Sequence, residues 1–452
     1  MNLKPYPEYK DSGVAWLGDV PRHWAVHPLK RYAKNIINNV ISKNSEELYI
    51  ALEHIEGWTG RFKKNREAKF TGQVKRFSET DVLLGKLRPY LAKVAFPKEK
   101  GVCVGEILSI RPNVNYLLGT FLEKSFLSFP FIGIVNGSTY GSKMPRTEWD
   151  FIGNLGFPII PLPEQNQIAR FLDYKTAQIA RFIKAKKRMI ELLKEQKQVI
   201  INDAVTGKID VATGKPYPKY KDSGMEWLGQ VPEGWEVLPL RWHILIGSGE
   251  FRSGNLIRTE KSSDYQYPVI GGNGVLGYTN SNNSEDNLII IGRVGALCGN
   301  VHYVKESAWI TDNALRIDDI RKFQPEFLAL QLKAMNLNKL SNANAQPLIT
   351  GGIIKSQKVV FPPLNEQLEI LKYIEHKTAA IGKTISRTER EIALMQEYRT
   401  RLISDVVTGK IDVRGIEIPD IADIDDTLDE AMEETEGKDE WETEEAEECI
   451  RR

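Results

Sequence analysis

The sequence predicts an α+β protein: two α+β domains separated by two long antiparallel coiled-coil helices, related by a pseudo-twofold internal repeat. Three observations carry that prediction. A 21-residue phrase occurs twice, as YPEYKDSGVAWLGDVPRHWAV at 6–26 and YPKYKDSGMEWLGQVPEGWEV at 217–237, with 14 positions identical. Two long segments without proline repeat one pattern of apolar residues. The stretches between these matched parts are rich in β-branched residues and glycine and differ from each other. Repetition on this scale dictates architecture before any local feature does. In chain order it gives a first domain (1–160), a first helix segment (161–213), a second domain (214–362), a second helix segment (363–413) and a tail (414–452).

Each domain opens on the repeated phrase, where Trp16, Trp24, Trp227 and Trp235, with Pro21 and Pro232, suit packing residues that anchor the start of the domain. Within the domains, DVLLGKLRPYLAKVAF (81–96) and NLIIIGRVGALCGNVHYV (287–304) have the composition of strands broken by glycine. They align weakly, with Gly85/Gly292, Lys86/Arg293 and Val94/Val301 in register. YPVIGGNGVLGYTNSNNSEDN (267–287) predicts strand and turn, because Gly, Asn and Ser tolerate turn geometry. A small helical cluster is expected over 325–340 and near 116–129.

The helix segments follow the Pro-rich stretches PIIPLPEQ and VVFPPLNEQ. From Glu164 to Val205 and from Glu366 to Val407 there is no proline, and the one glycine is Gly382. The Glu-Gln pairs suit a first turn, where unpaired N–H groups and the positive end of the dipole favour acidic and polar side chains. Apolar residues recur at Leu172, Ile179, Ile183, Ile190, Leu193 and Ile200, and at Ile374, Ile381, Ile385, Ile392, Met395 and Leu402. Steps of seven, or of four and three, keep such residues in one coiled-coil seam. Forty-two residues at 1.5 Å each predict a rod of about 60 Å. A rod that narrow needs a partner, so each seam is expected to pack antiparallel on the other. VTGKIDV closes both segments, supplying Gly207 and Gly409 as left-handed caps.

The formal net charge of +1 averages two unlike regions. From Arg414 to Arg452 there are 17 acidic and 4 basic side chains, leaving 57 basic and 43 acidic before them. A basic body suits a polyanionic partner, because neutralised phosphates release counterions. The acidic tail is expected to be largely disordered, a solvating extension, a docking segment or a competitor of DNA for the basic body. No apolar run is long enough to span a membrane, and MNLKPYPEYK has no leader character, so a cytoplasmic protein is expected. Cys103, Cys298 and Cys449 are too far apart for a metal motif or a disulfide framework.

Motifs for chemistry within the chain are missing. The Pro-Pro of FPPL (361–364) lacks the amide and ring that hold a target amine in adenine methyltransferases. Gly382-Lys383-Thr384 has Lys377 where a phosphate loop needs its first glycine. IGGNGVLG has turn chemistry and does not fit G-x-G-x-x-G. Glu195–Lys197 and Glu375–Lys377 fall on solvated helix faces, and six scattered histidines form no ligand pair at helical spacing. No catalytic residue and no metal site are assigned.

YKDSG-x-x-WLG-x-VP-x-x-W before a variable domain, an EQ pair at the start of a long helix and VTGKIDV at its end, all used twice, resemble the specificity subunits of type I restriction-modification systems. The resemblance covers residues 1–413. It implies a noncatalytic subunit with two target-recognition domains, each reading one half of a bipartite double-stranded DNA target, and two helices that dock methyltransferase subunits, two of them expected. Restriction or translocase subunits would join through the methyltransferase complex. S-adenosylmethionine, ATP and Mg are then expected on partner subunits, with no cofactor here. Two readers on a rigid spacer touch DNA in two places and ignore the bases between, so helix length is expected to set the gap. A stand-alone bipartite regulator, or a coiled-coil scaffold without DNA function, are the other readings of the same layout.

Base edges are read by Arg, Lys, Asn and Gln, and phosphates are held by Lys, Arg, Ser and Tyr. In the first domain the candidates are Arg61, Lys63, Lys64, Arg66, Lys75, Arg76, Lys86, Arg88 and Tyr90, with Ser138, Tyr140 and Lys143 from the polar loop 136–143. In the second they are Arg252, Arg258, Lys261, Asn273, Tyr278 and Arg293, with Asn342, Asn344 and Gln346 from NANAQ. The loops before MPRTEWDF and PLITGGII occupy corresponding places in the two halves, which favours them.

Overall fold

The computed structural model describes residues 3–41, 47–66, 72–141, 144–295, 297–340 and 347–419. The acidic sequence from Asp420 onward lies outside them. The chain divides into two compact units, one of Met1–Lys186 with the chain from Arg390 onward, the other Lys187–Glu389. Each unit therefore contains part of both long helices. These run Leu162–Val205 and Leu364–Val407, 44 residues each, about 66 Å at 1.5 Å per residue. They begin two residues before the Glu-Gln pairs. Pro163 is tolerated in the first turn because its missing N–H would have had no partner there.

In both units the repeated phrase forms a hairpin, Tyr9–Asp11 with Asp19–Pro21 and Tyr220–Asp222 with Gln230–Pro232, in the same register. The next strand closes the domain by pairing with the strand just before the long helix: Ala25–Pro28 with Gly156–Ile159, and Glu236–Pro239 with Lys358–Phe361. Each unit then holds a four-stranded antiparallel sheet of one topology. The first has the order Ala33–Asn35, Ile107–Pro112, Val82–Gly85, Val94–Ala95; the second has Ile244–Ser248, Ala314–Ile320, Leu288–Gly292, Val301–Val304. Gly85 faces Ile107 as Gly292 faces Ala314, and Leu84 faces Val94 as Ile291 faces Val301. The weak alignment of the diverged middles is thus a true structural register.

A second sheet separates the copies. Its shared part is a parallel pair, Leu48–Ile50 with Gly101–Cys103 in the first unit and Tyr267–Gly271 with Trp309–Ile310 in the second. The first unit extends it beyond Gly101–Cys103 with Val74–Phe77 and Asn39–Val40, whereas the second extends it beyond Tyr267–Gly271 with Gly274–Thr279. The additions sit on opposite edges. The helical cluster is Gly119–Phe126 and Phe129–Gly137 in one unit and Pro325–Met335 with the 3-10 turn Leu337–Leu340 in the other. Helix Phe129–Gly137 takes up the start of the stretch expected as a polar loop, which begins at Ser138.

Each core joins sheet, cluster and helix ends. In the first unit Ile168, Phe171 and Leu172 at the start of one long helix pack with Leu402, Ile403, Val406 and Val407 at the end of the other. In the second unit Ile201, Ala204 and Val205 pack with Ile370 and Ile374. Within each unit the helices are therefore antiparallel. None of the twelve seam residues is exposed: Leu172, Ile179, Ile190, Ile374 and Leu402 are buried and the other seven half-buried. Lys124 of helix Gly119–Phe126 adds a buried tie, pairing with Glu123 at 3.1 Å and with Asp173 of the first long helix at 2.7 Å. Burial alone would lower its pKa, but the two carboxylates outweigh that and raise it.

Leu402 is 2% exposed and Leu394, eight residues earlier, 57%. Leu402→Ala is expected to destabilise the protein by about 2–5 kcal/mol and Leu394→Ala by less than about 0.5 kcal/mol, measured by urea unfolding.

Candidate nucleic-acid interface

The repeated phrase and the Glu-Gln pairs build the frame on which the variable loops sit. Tyr6 Oη donates to Glu164 Oε1 at 2.7 Å and Trp24 Nε1 donates to the same oxygen at 3.0 Å, while His23 Nε2 lies 2.8 Å from Oε2. The second copy repeats this, with Tyr217 Oη at 2.6 Å and Trp235 Nε1 at 2.9 Å from Glu366 Oε1. Burial, then the carboxylate itself, push both tyrosine phenols far above their usual range, so they remain protonated donors. The neighbouring amides clamp backbone. Gln165 donates to the Tyr116 and Ile160 carbonyls and accepts from Leu118 N; Gln367 donates to those of Lys322 and Pro362 and accepts from Gln324 N.

The same phrase grips the end of a helix. Tyr9 Oη donates to the Gly409 carbonyl at 3.1 Å, and Tyr220 Oη to that of Gly207 at 3.2 Å. Both glycines have positive φ, and a Cβ on either would strike the proline and tryptophan of the phrase, Pro21 and Trp24 or Pro232 and Trp235. Trp16, Trp24 and Trp235 are buried as expected. Trp227 is not: it is 40% exposed, whereas Trp16 is packed edge-on against Phe131 of helix Phe129–Gly137. Among the described residues, the corresponding place in the second unit holds the short turn Leu337–Leu340.

On this frame each unit carries two loops stitched together in one pattern. Lys86 N donates to Glu106 O as Arg293 N does to Asn313 O; Arg88 N donates to Pro145 O as Gly295 N does to Pro347 O. Thr147 N donates to Lys86 O as Ile349 N does to Arg293 O, and Leu91 N to Arg88 O as Cys298 N does to Gly295 O. Backbone angles agree too, with φ of 49° at Arg88 and 85° at Gly295, and 48° at Ala92 and 93° at Gly299. The segments just after the favoured loops, Pro145–Thr147 and Pro347–Ile349, thus meet the Gly-Lys and Gly-Arg turns in both copies, while residues 342–346 of the second favoured loop lie outside the described residues. Their side chains do not match. The first pair exposes Tyr90, Tyr140 and Met144 beside a half-buried Arg88; the second exposes Leu297 beside Gly295.

Asp81 anchors the strand leading into the first loop. It accepts from Ser78 N, Ser109 Oγ and, bidentately, Arg111 at 2.6 and 2.8 Å. Burial would raise its pKa, but Arg111 and the other donors hold the carboxyl below its usual range.

The remaining candidates are dispersed. Lys64 and Arg66 pair with Glu99, and Arg76 with Glu47. Lys75 Nζ donates to the Gly105 and Ile107 carbonyls, and burial lowers its pKa. Arg61 is half-buried and Lys63 exposed. Ser138 Oγ caps Val135 O, and Tyr140 Oη donates to Glu148. In the second unit Arg252 lies 4.2 Å over the Trp309 ring and donates to Thr279 and Asn280. Arg258 lies over Tyr265, Lys261 near Tyr278 and Glu306, and Asn273 at an exposed hairpin turn. Arg293 donates to Ser248 Oγ. Lys143, Asn342, Asn344 and Gln346 lie outside the described residues.

Residues 244–389 match the type I restriction modification DNA specificity domain. Over those residues the chain is similar to the specificity subunits of type I restriction enzymes. The EcoprrI specificity subunit of Escherichia coli is 27% identical over 194 residues, 42% of this chain and 47% of that protein, so this match spans about half of the relative's length. The MjaVIII specificity subunit of Methanocaldococcus jannaschii is 22% identical over 436 residues, 88% of this chain and 95% of the relative. A chain from a solved structure of the type I R-M system shares the fold, with a TM-score of 0.58 at 16% identity over 86% of this chain and 98% of that one. The resemblance carried by the repeated phrase, the EQ pairs and VTGKIDV is therefore borne out. Sequence reasoning placed the EQ pairs in a first helical turn and missed their role as a clamp; the signal was that the two pairs at the helix starts each accompany a copy of the phrase with its tyrosine and tryptophan, Tyr6 and Trp24 or Tyr217 and Trp235.

Removing one donor from a buried carboxylate costs about 1–3 kcal/mol. Tyr6→Phe and Tyr217→Phe are each expected to lower stability by about that amount in urea titrations. For Asp81 the sign is set by its depressed pKa. The unfolded chain holds the proton more tightly, so the stabilisation is full above the unfolded value near 3.8 and is lost as pH falls through the lower folded value. Asp81→Asn is expected to lower the urea midpoint at neutral pH and to flatten its fall below about pH 5.

Proposed function

We propose that this chain is the noncatalytic DNA-reading subunit of a type I restriction-modification enzyme. It reads an asymmetric bipartite target in double-stranded DNA and directs methyltransferase subunits, and restriction or translocase subunits where these exist, to it. The observation that carries the reading is the pair of two-loop elements with one backbone pattern and unlike side chains. Equal backbones present two sets of side chains to one kind of ligand, and unlike side chains then select unlike half-sites. The basic body supplies the sequence-independent attraction to phosphates. Methyl transfer, ATP hydrolysis and cleavage belong to partner subunits, which would hold S-adenosylmethionine, ATP and Mg.

For the partner, matched exposed apolar residues on the two long helices support docking at two places. Leu192 is 49% exposed and Leu394, 202 positions later, 57%. Val199 and Tyr398 extend the two patches. Exposed leucines that repeat with the internal symmetry suit two copies of one methyltransferase subunit.

Selection from randomised duplex DNA is expected to return two unlike short sequences at a fixed gap; a palindrome or one continuous site would contradict the reading. Co-expression with a methyltransferase subunit is expected to give a complex that Leu192→Asp together with Leu394→Asp dissociates without lowering Tm. A chain that binds its split target but forms no such complex would instead be a stand-alone regulator.

A further inference from the structure

Arg88 occupies a backbone conformation that disfavours its side chain. Its φ of 49° and ψ of 63° are left-handed, a region where an L-residue other than glycine crowds its Cβ against the carbonyl. The second copy has the same loop, with the same hydrogen bonds, and places Gly295 there. Nothing lies within 4 Å of a Cβ built at Gly295, so packing does not exclude a side chain at that loop position. Glycine is simply the residue that the backbone favours. In the first unit the strain is kept, and with it a guanidinium.

Among the described residues that guanidinium is also unengaged. Arg22, Arg66, Arg76, Arg111 and Arg146 of the same unit are all paired with carboxylates. Arg88 makes no side-chain hydrogen bond or ion pair among the described residues, although its backbone N–H is fixed to Pro145. Exposed Tyr90 and Tyr140 stand on the same pair of stitched loops. A strained residue with no structural partner, held on an over-determined loop, is a signature of function rather than of stability.

Resting on the reading of this chain as a DNA-recognition subunit, we propose that Arg88 is a specificity-determining residue that reads a guanine in the half-site of the first unit. The five-donor fork of arginine matches the O6 and N7 acceptors of guanine in the major groove, the commonest specific contact of that side chain. A loop that fixes the backbone in advance leaves only the side-chain torsions to be ordered on binding. The second unit, with glycine at the equivalent position, makes no such contact there.

The test is selection from randomised duplexes with the full chain, comparing wild type, Arg88→Gly and Arg88→Asn, two residues that tolerate the left-handed conformation. The expected result is that both variants keep a Tm equal to or above wild type, keep the other half-site unchanged, and lose a strong guanine preference at one position, with at least tenfold weaker binding to the wild-type target. Variants that select the wild-type target undiminished, or whose Tm falls by several degrees, overturn the proposal while leaving the recognition reading intact. A wild-type chain that enriches no sequence overturns that reading and this proposal together.

Discussion

A carboxylate at the first turn of a long helix, buried in the first unit and half-buried in the second, is the interaction on which each unit depends. Glu164 and Glu366 are each held by a tyrosine and a tryptophan from the repeated phrase, and the more such a carboxylate is withdrawn from water, as Glu164 is, the more it depends on those donors. The contact orients three things at once: the hairpin that opens the domain, the helix that follows it, and, through Tyr9 or Tyr220, the end of the other helix. Because the adjacent glutamine clamps the carbonyls of the connecting segment, the sheet is positioned relative to the helix by polar contacts with defined directions. A purely apolar junction would slide more readily. The variable loops inherit this precision from a frame that is the same in both halves.

Much of this was legible from residues alone. The doubled phrase, the seam residues from Leu172 to Leu402 and the glycine caps depend on local rules, namely periodicity, propensity and positive φ, and these leave marks that repetition makes visible. What stayed hidden was long-range. The partners of Glu164, Trp24 and Tyr6, sit 140 and 158 positions away in sequence, and no local rule connects them. Trp227 escaped for the same reason, since its exposure follows from which helix the diverged domain places beside it. The matching of the two-loop elements was visible only as the faint register of Gly85 with Gly292, because hydrogen bonds between backbone atoms conserve a conformation without conserving side chains.

The two domains also show where a fold of this kind can vary without losing its frame. Their four-stranded sheets agree in order and register, and the parallel pair of the second sheet agrees too. Added strands attach to opposite free edges of that pair. An edge has unpaired N–H and C=O groups and accepts a new strand without disturbing the core beneath. Arg76 lies on one such addition and Tyr278 on the other, so the second sheet varies as the loops do. Variation thus falls on loops, on sheet edges and on the second element of the helical cluster, while the Tyr-Trp-Glu frame recurs.

The tyrosine-to-glycine bond at the helix ends recurs in both copies but closes chain segments of very different length. Tyr220 and Gly207 are 13 residues apart, and Tyr9 and Gly409 are 400. The bridge between Asp210 and Lys215 likewise recurs as the bridge between Asp412 and Lys4. One junction is a short continuous loop and the other is the same junction with its covalent link missing. By loop-closure entropy the long closure costs about 3 kcal/mol more than the short one. In the second unit the junction is held by the chain as well as by its contacts, whereas in the first unit contacts alone hold it, among them Arg414 on Asp412 and Gln167 on the Val413 and Ile416 carbonyls.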